Sequence, residues 1–170
     1  MGWILAGVVA SVVGLVLYRR QQVDAGTGTG FLDLTGDLQQ LPVVGKYFVS
    51  MDSVKAIARA IAFAEGFYVP GSRAARNHNP GDLTADIGGN DIHPLSFDGP
   101  FAVYASDADG FADLEQQILK WLTGSSQVAG PGDTIASLAT KYTATEQTGW
   151  ASNVASYLGV PADTKLQDLA

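Results

Sequence analysis

The chain has 170 residues, of which 46% are hydrophobic and 16% are charged, and its formal net charge is −7. This composition indicates one globular domain with an appendage and excludes a disordered or fibrous chain. The absence of cysteine excludes disulfides, thiolate metal sites and a cysteine nucleophile, and the ten scattered Lys and Arg residues argue against nucleic acid as a partner.

The N-terminus carries an uncharged apolar run that is typical of a membrane anchor. Residues 3–18 read WILAGVVASVVGLVLY, with an aromatic residue at each end, and Arg19 and Arg20 follow. A run of this length is at the short end of the range that crosses a bilayer core. Aromatic residues at the membrane interfaces and basic residues after the run are typical of a transmembrane helix. We therefore predict one N-terminal transmembrane helix within residues 1–20. The alternatives are a cleaved signal peptide, although the basic start and the A-x-A site are missing, and a buried hydrophobic arm.

Residues 21–50 are predicted to form a linker and a juxtamembrane segment. The first part ends in GTGTG, a composition that favours a solvated, irregular backbone. The second part, residues 31–50, is apolar enough to lie on the domain or on the membrane surface, and both possibilities stay open. The globular domain is predicted over residues 51–170.

The first helix of this domain is predicted to end in a carboxylate. Its apolar residues recur at helical spacing, Ser50 or Asp52 can cap its start, and Gly66 suits its end. Glu65 lies four residues after Ile61, so it projects from the apolar face or its edge. Desolvation and the negative end of the helix dipole should both raise its pKa. Such an acid can protonate a glycosidic oxygen. The alternative is a rim carboxylate paired with Arg59, Arg73 or Arg76.

A polar segment, RNHNPGDL, follows at residues 76–83. Pro80 and Gly81 suit the two central positions of a type II turn, and the proline favours an extended conformation at Asn79. The amide and imidazole groups of residues 77–79 would then form a row that can bind sugar hydroxyls and N-acetyl groups. The alternative is that asparagines simply favour turns.

The remaining segments predict a mainly helical fold with a small β ribbon. Residues 83–87 and 101–104 resemble short strands joined by a turn at 88–91. Ser106 and Asp109 suit a capping box at the start of a helix, whose apolar face comprises Phe111, Leu114, Ile118, Trp121 and Leu122. Two further helices are predicted near Thr134–Tyr142 and Glu146–Leu158, the latter with Trp150 and Val154 at core spacing and closed by Gly159.

Neither a metal nor a cofactor is predicted. His78 and His93 are the only histidines, and they lack ligand spacing such as HExxH. Turn or surface positions are therefore expected for both, and a metal-dependent amidase or peptidase is disfavoured. The run at residues 107–110 lacks the first and the closing ligand of a calcium loop.

The motifs together resemble a known family. A helix ending in AEGF, then PGS, RNHNPGDL, an FAVY strand with a DGF-led helix, and a late KYT are similar to the lysozyme-like lytic transglycosylase domains of phage virion proteins, over roughly residues 54–160. The resemblance implies a goose-lysozyme-like or soluble lytic transglycosylase fold, with Glu65 as the lone catalytic acid/base. It also implies that Asn77 and Asn79 help to bind the glycan and that Tyr142 lies near the cleft. Many relatives read NPGN, whereas this chain has Asp82, a possible second carboxylate.

The expected reaction is cleavage of the bond between N-acetylmuramic acid and N-acetylglucosamine. Glu65 would protonate the bridging oxygen and then, as a base, activate the acceptor. The muramyl 6-hydroxyl as acceptor gives a 1,6-anhydro sugar, and this is the route that the resemblance favours. Water as acceptor would make the enzyme a lysozyme, which would require a positioned second carboxylate such as Asp82, Asp86 or Asp91.

The expected partners are peptidoglycan strands, a lipid bilayer through residues 3–18, and other virion proteins. Because the chain is acidic, attraction to an anionic wall has to come from local groups such as Arg73 and Arg76. Arg19 and Arg20 favour a cytoplasmic domain, which suits a membrane-anchored protein carried in a virion better than a host enzyme of the bacterial inner membrane. The alternative class is a structural membrane or virion protein with a non-catalytic, wall-binding domain.

Overall fold

The computed structural model describes residues 49–86 and 92–170. Over these residues the protein is mainly helical with one two-stranded antiparallel sheet, which confirms the predicted fold class at this level. The predicted anchor at residues 1–20, nearly all of the 21–50 segment and the predicted turn at 88–91 lie outside the described residues. Among the helices that are described, none has the length and apolar character needed to cross a bilayer.

The helices and strands agree with most of the predicted segments. The four longer helices were all predicted, whereas the four-residue helix and the 3-10 helix are too short to show a periodic pattern. In chain order the elements are α1 (Met51–Ala64), α2 (Arg73–Arg76), β1 (Ser96–Asp98), β2 (Phe101–Val103), α3 (Asp107–Thr123), α4 (Ile135–Tyr142), α5 (Gln147–Leu158) and a 3-10 helix (Leu166–Asp168).

Helix α1 begins and ends at residues suited to those positions. The Ser50 hydroxyl accepts a hydrogen bond from the Asp52 amide at 3.2 Å. At the other end Gly66 has a φ of +69°. The amides of Gly66 and Phe67 donate to the Phe63 and Ala62 carbonyls at 3.1 and 2.9 Å, which is the bond pattern of a Schellman motif. The helix therefore stops with Glu65 as its C-cap.

The core lies where α1 packs against α3 and α5, and α4 packs against α5. Its largest fully buried side chains include Trp121, Tyr104, Ile61 and Leu114. The Tyr104 hydroxyl donates to Asp113 at 2.6 Å, so this buried polar pair ties the end of β2 to α3.

The β ribbon differs from the prediction in its first strand. Ser96–Asp98 pairs antiparallel with Phe101–Val103, whereas residues 83–86 of the predicted strand are irregular. Gly99 and Pro100 form the connecting turn, and Gly99 has a φ of +59°. Because proline keeps φ negative at the second central position, the turn belongs to type II′. The Leu83 carbonyl accepts a hydrogen bond from the Ala102 amide of β2 at 2.8 Å.

Candidate active site

Glu65 is half-buried at the C-terminal end of α1 and is hydrogen-bonded to a residue far away in the sequence. The Trp150 indole N–H, on the buried face of α5, donates to Glu65 Oε1 at 2.7 Å. Among the described residues no Lys, Arg or His lies within ion-pair distance of Glu65. Glu65 is therefore not the arginine-paired rim carboxylate of the alternative prediction.

The acidity of Glu65 is strongly altered by its surroundings. Burial raises the pKa of Glu65 from 4.5 to about 7, against the opposing effect of the Trp150 hydrogen bond. The nearby negative charge of Asp82 raises this pKa further, and the positive charge of Arg73 lowers it. The direction agrees with the expectation from the sequence. A carboxyl group with a pKa near 7 can both give and accept a proton close to neutral pH.

Asp82 lies near Glu65 but is held in an ion pair. Arg73 Nε donates to Asp82 Oδ1 at 3.2 Å, and Arg73 Nη2 donates to the second carboxylate oxygen. The Asp82 side chain is only 10% exposed. The Arg73 guanidinium also lies 3.4 Å from the centroid of the Phe101 ring, in a cation–π arrangement. Asp82 is therefore a fixed, paired carboxylate beside Glu65. Of the other two candidate second carboxylates, Asp86 pairs with His93 at 2.8 Å, and Asp91 lies outside the described residues.

Asn79 is a structural residue, which corrects its predicted role in glycan binding. It is fully buried. Its amide nitrogen donates to the carbonyls of Leu83 at 3.0 Å and Ala102 at 2.9 Å, and its amide oxygen accepts from the Leu83 amide at 2.8 Å. Both N–H donors are thus used inside the protein, and the side chain is closed to solvent. Asn79 fixes the turn against β2.

The turn at residues 79–82 is present, but its type was predicted wrongly. The Asp82 amide donates to the Asn79 carbonyl at 3.0 Å. Gly81 is not in the left-handed region that a type II turn requires, and the positive φ of +48° falls on Asp82. The glycine is needed for space, since a Cβ at this position would lie 2.7 Å from Leu114 Cδ1 and 2.9 Å from the Tyr142 hydroxyl.

The neighbouring polar residues of this segment have separate partners. Asn77 is buried, and its amide nitrogen lies 3.4 Å from Asp98 Oδ2. His78 is half-exposed, with Nδ1 2.6 Å from Asp107 Oδ1, as suits a surface histidine. Arg76 is exposed, and its guanidinium donates to the Gly71 carbonyl. None of these contacts joins Asn77, His78 or Arg76 to Glu65.

Tyr142 lies beside the hydrogen-bonded pair of Glu65 and Trp150. Its ring centroid is 5.2 Å from that of Trp150 and 5.6 Å from that of Trp121. Its hydroxyl donates to the Gly81 carbonyl. Burial, with the added negative charges of Glu65 and Asp82, raises the pKa of Tyr142 well above its ordinary value. The aromatic groups of Tyr142 and Trp150 therefore form one wall beside the carboxyl group and link it to the turn.

Two residues of this site were not predicted in their actual roles. The spacing within α5 marked Trp150 as a core residue, but no local signal says which acceptor its indole N–H meets. Arg73 was considered as a partner of Glu65, whereas it pairs with Asp82.

Among the described residues no group of three or more metal-ligating side chains comes together. The arrangement can therefore supply proton transfer from Glu65, next to an ion pair and an aromatic wall.

Comparison of the chain with protein-family models, curated proteins and solved structures finds no match.

Proposed function

We propose that the protein is a peptidoglycan lytic transglycosylase with a lysozyme-like fold. The observation that carries this proposal is the half-buried Glu65, whose pKa of about 7 suits a single group that acts first as an acid and then as a base. The resemblance of the AEGF and RNHNPGDL segments to lytic transglycosylase domains supplies the substrate class, the glycan strand.

The proposed reaction uses two proton transfers at the Glu65 carboxyl group. The protonated Glu65 gives its proton to the oxygen between N-acetylmuramic acid and N-acetylglucosamine. The bond between this oxygen and the anomeric carbon of the muramyl residue then breaks. The acetamido group of the muramyl residue stabilises the positive charge at this carbon. Glu65, now a carboxylate, takes the proton of the muramyl 6-hydroxyl as its oxygen bonds to the anomeric carbon. The product is a 1,6-anhydro sugar.

The ion pair between Asp82 and Arg73 supports the intramolecular route over hydrolysis. A hydrolytic, inverting enzyme needs a second carboxylate that is free to activate water. Asp82 is close enough to affect the pKa of Glu65, but both of its oxygens are bonded to Arg73. In this proposal the ion pair holds both Asp82 oxygens, so Asp82 does not activate water and Glu65 acts alone.

The place of action belongs to the same proposal. A chain held in a bilayer by residues 3–18 and carried in a virion, together with other virion proteins, would reach the cell wall at infection and open it locally for genome entry. A host inner-membrane enzyme is the competing location. Recovery of the protein in purified particles supports the virion location, whereas recovery only in host membranes contradicts it.

The activity test compares the full chain in a nonionic detergent with its Glu65→Gln variant on purified peptidoglycan. Gln keeps the acceptor for the Trp150 N–H but has no transferable proton, so the rate should fall by about 10²-fold or more. Glu146→Gln, at an exposed position, is the matched control and should cleave as the wild type does. Mass spectrometry of the released ends identifies anhydro or hydrolysed sugars. Equal cleavage by the wild type and Glu65→Gln would refute Glu65 as the acid.

A further inference from the structure

The outer side of α1 carries an exposed row of apolar and basic side chains. Met51, Lys55, Arg59 and Phe63 follow one another at intervals of four residues, and all four are exposed. Residues four apart lie on the same side of a helix, so these side chains form a single row along α1. Phe63 is 49% exposed and Met51 is 50% exposed.

Two exposed tyrosines widen this row at its C-terminal end. The Tyr157 ring, on α5, lies 5.5 Å from the Phe63 ring, and Tyr157 is 46% exposed. Tyr68 is 52% exposed and is close enough to Tyr157 and Arg59 for its pKa to respond to both, although burial is the main cause of its raised pKa. We call this surface the basic aromatic face; its residues are Met51, Lys55, Arg59, Phe63, Tyr68 and Tyr157.

The charge of this face is opposite to that of the chain. Residues 49–170 contain 14 Asp and Glu residues but only seven Lys and Arg residues. Lys55 and Arg59 nevertheless form no ion pair with any described residue. Among the exposed positions of α1, Asp52 in the first turn is the one acidic residue. Two unpaired cations among exposed aromatic rings thus stand on an otherwise acidic domain.

We propose that the basic aromatic face rests on the headgroup layer of an anionic lipid bilayer. Tyr and Phe rings with Lys and Arg side chains are the composition that favours the membrane interface. The negative surface potential of an anionic leaflet attracts the two cations. The face lies on the first described helix after the predicted anchor. The predicted linker would therefore keep this face close to the bilayer that holds the anchor. This proposal does not depend on the catalytic one.

A glycan strand is the other ligand that aromatic rings attract, but the geometry favours lipid. Successive helical residues are rotated by about 100°, so Phe63 and Glu65 project about 200° apart around the α1 axis. Phe63 points outward with Arg59, whereas Glu65 points inward to Trp150. The α1 row of this face, from Met51 to Phe63, is therefore on the side of α1 away from Glu65. A domain docked through this face would turn Glu65 away from the bilayer.

The absence of cysteine allows a direct test with the full chain. Asn153→Cys, one turn before Tyr157 on α5, and Thr140→Cys on α4 are both exposed positions for a bimane label. Each variant is placed in nanodiscs of phosphatidylcholine, with or without phosphatidylglycerol, that contain lipids with nitroxide headgroups. The label at position 153 should be quenched more strongly than the control at 140, and more strongly with phosphatidylglycerol than without it.

Charge removal then tests the cause of the docking. Lys55→Gln combined with Arg59→Gln should lower the ratio of docked to undocked protein about 25-fold, because each cation strengthens membrane attraction about fivefold. Equal quenching at positions 153 and 140 in anionic nanodiscs would overturn the proposal, as would quenching that the double variant leaves unchanged. Release of the quenching by a chitooligosaccharide would also overturn it, because the face would then bind glycan.

Discussion

Replacing Glu65 with glutamine should stabilise the folded chain, and more strongly as the pH rises. In the folded state the pKa of Glu65 is about 7, compared with an ordinary value of 4.5. Between these two values the folded protein keeps a proton that the unfolded chain has released, so the free energy of unfolding falls as the pH rises. The loss begins above about pH 4.5 and is complete above about pH 7. The glutamine side chain of the variant carries no charge, so the variant escapes this loss.

The size of the effect follows from the pKa difference. At about 1.4 kcal/mol for each pKa unit, raising the pKa from 4.5 to about 7 corresponds to about 3.5 kcal/mol over the whole titration. The glutamine amide oxygen can still accept the Trp150 N–H, so the variant keeps that hydrogen bond. The difference in free energy of unfolding between Glu65→Gln and the wild type should therefore grow by about 3 kcal/mol between pH 4 and pH 8.

The assay is urea-induced unfolding of both proteins, followed by circular dichroism in a nonionic detergent at pH 4, 5, 6, 7 and 8. Glu146→Gln removes one charge at an exposed position and measures the general effect of a changed net charge. The chain contains only three glutamates, Glu65, Glu115 and Glu146, so ¹³C NMR of labelled side chains can also follow the titration of Glu65 directly. A stability difference that does not change with pH would refute the desolvation of Glu65.

Three further substitutions test the contacts around Glu65. Trp150→Phe removes the N–H that stabilises the Glu65 carboxylate, so the ¹³C titration should show a higher pKa for Glu65. The control Trp121→Phe removes an N–H that has no partner among the described residues, so it should leave the pKa of Glu65 unchanged. Gly81→Ala should lower the free energy of unfolding by about 1–3 kcal/mol through crowding, while Gly132→Ala, which has no atom within 4 Å of the added Cβ, should be near neutral in the same urea titration. Asn79→Ala removes three buried hydrogen bonds and should lower the melting temperature by several degrees, and an unchanged value would contradict its structural role.

The helices could be predicted because their signals are local. In α1 and α3 the apolar residues repeat at helical spacing, and Ser50, Ser106 and Gly66 mark the ends. The same spacing put Glu65 on the apolar side of α1, and its raised pKa follows from that position. These properties depend on residues within one or two turns of each other, so one sequence is sufficient to show them.

The missed features are a strand too short to show a pattern and contacts between distant segments. β1 has three residues, too few for an alternating pattern, and its pairing is fixed by the Gly99-Pro100 turn and by β2. Asn79 looked available for binding because one of its carbonyl acceptors, that of Ala102 in β2, is 23 positions away in the sequence. Gly81 was read as a conformational requirement, whereas it is required by the volume of Leu114 and Tyr142.

The hydrogen bond between Glu65 and Trp150 can form only late in biosynthesis. The two residues are separated by 85 positions in the chain, and Trp150 lies in the penultimate element of the fold. A growing polypeptide exposes Glu65 long before α5 exists, and in that interval the carboxyl group is hydrated and ionised at neutral pH. Burial in the completed fold raises the pKa of Glu65 from 4.5 to about 7, so at neutral pH maturation of the site is accompanied by partial uptake of a proton. A nascent or truncated chain that ends before residue 147 would lack the Trp150 hydrogen bond and whatever burial α5 gives to Glu65.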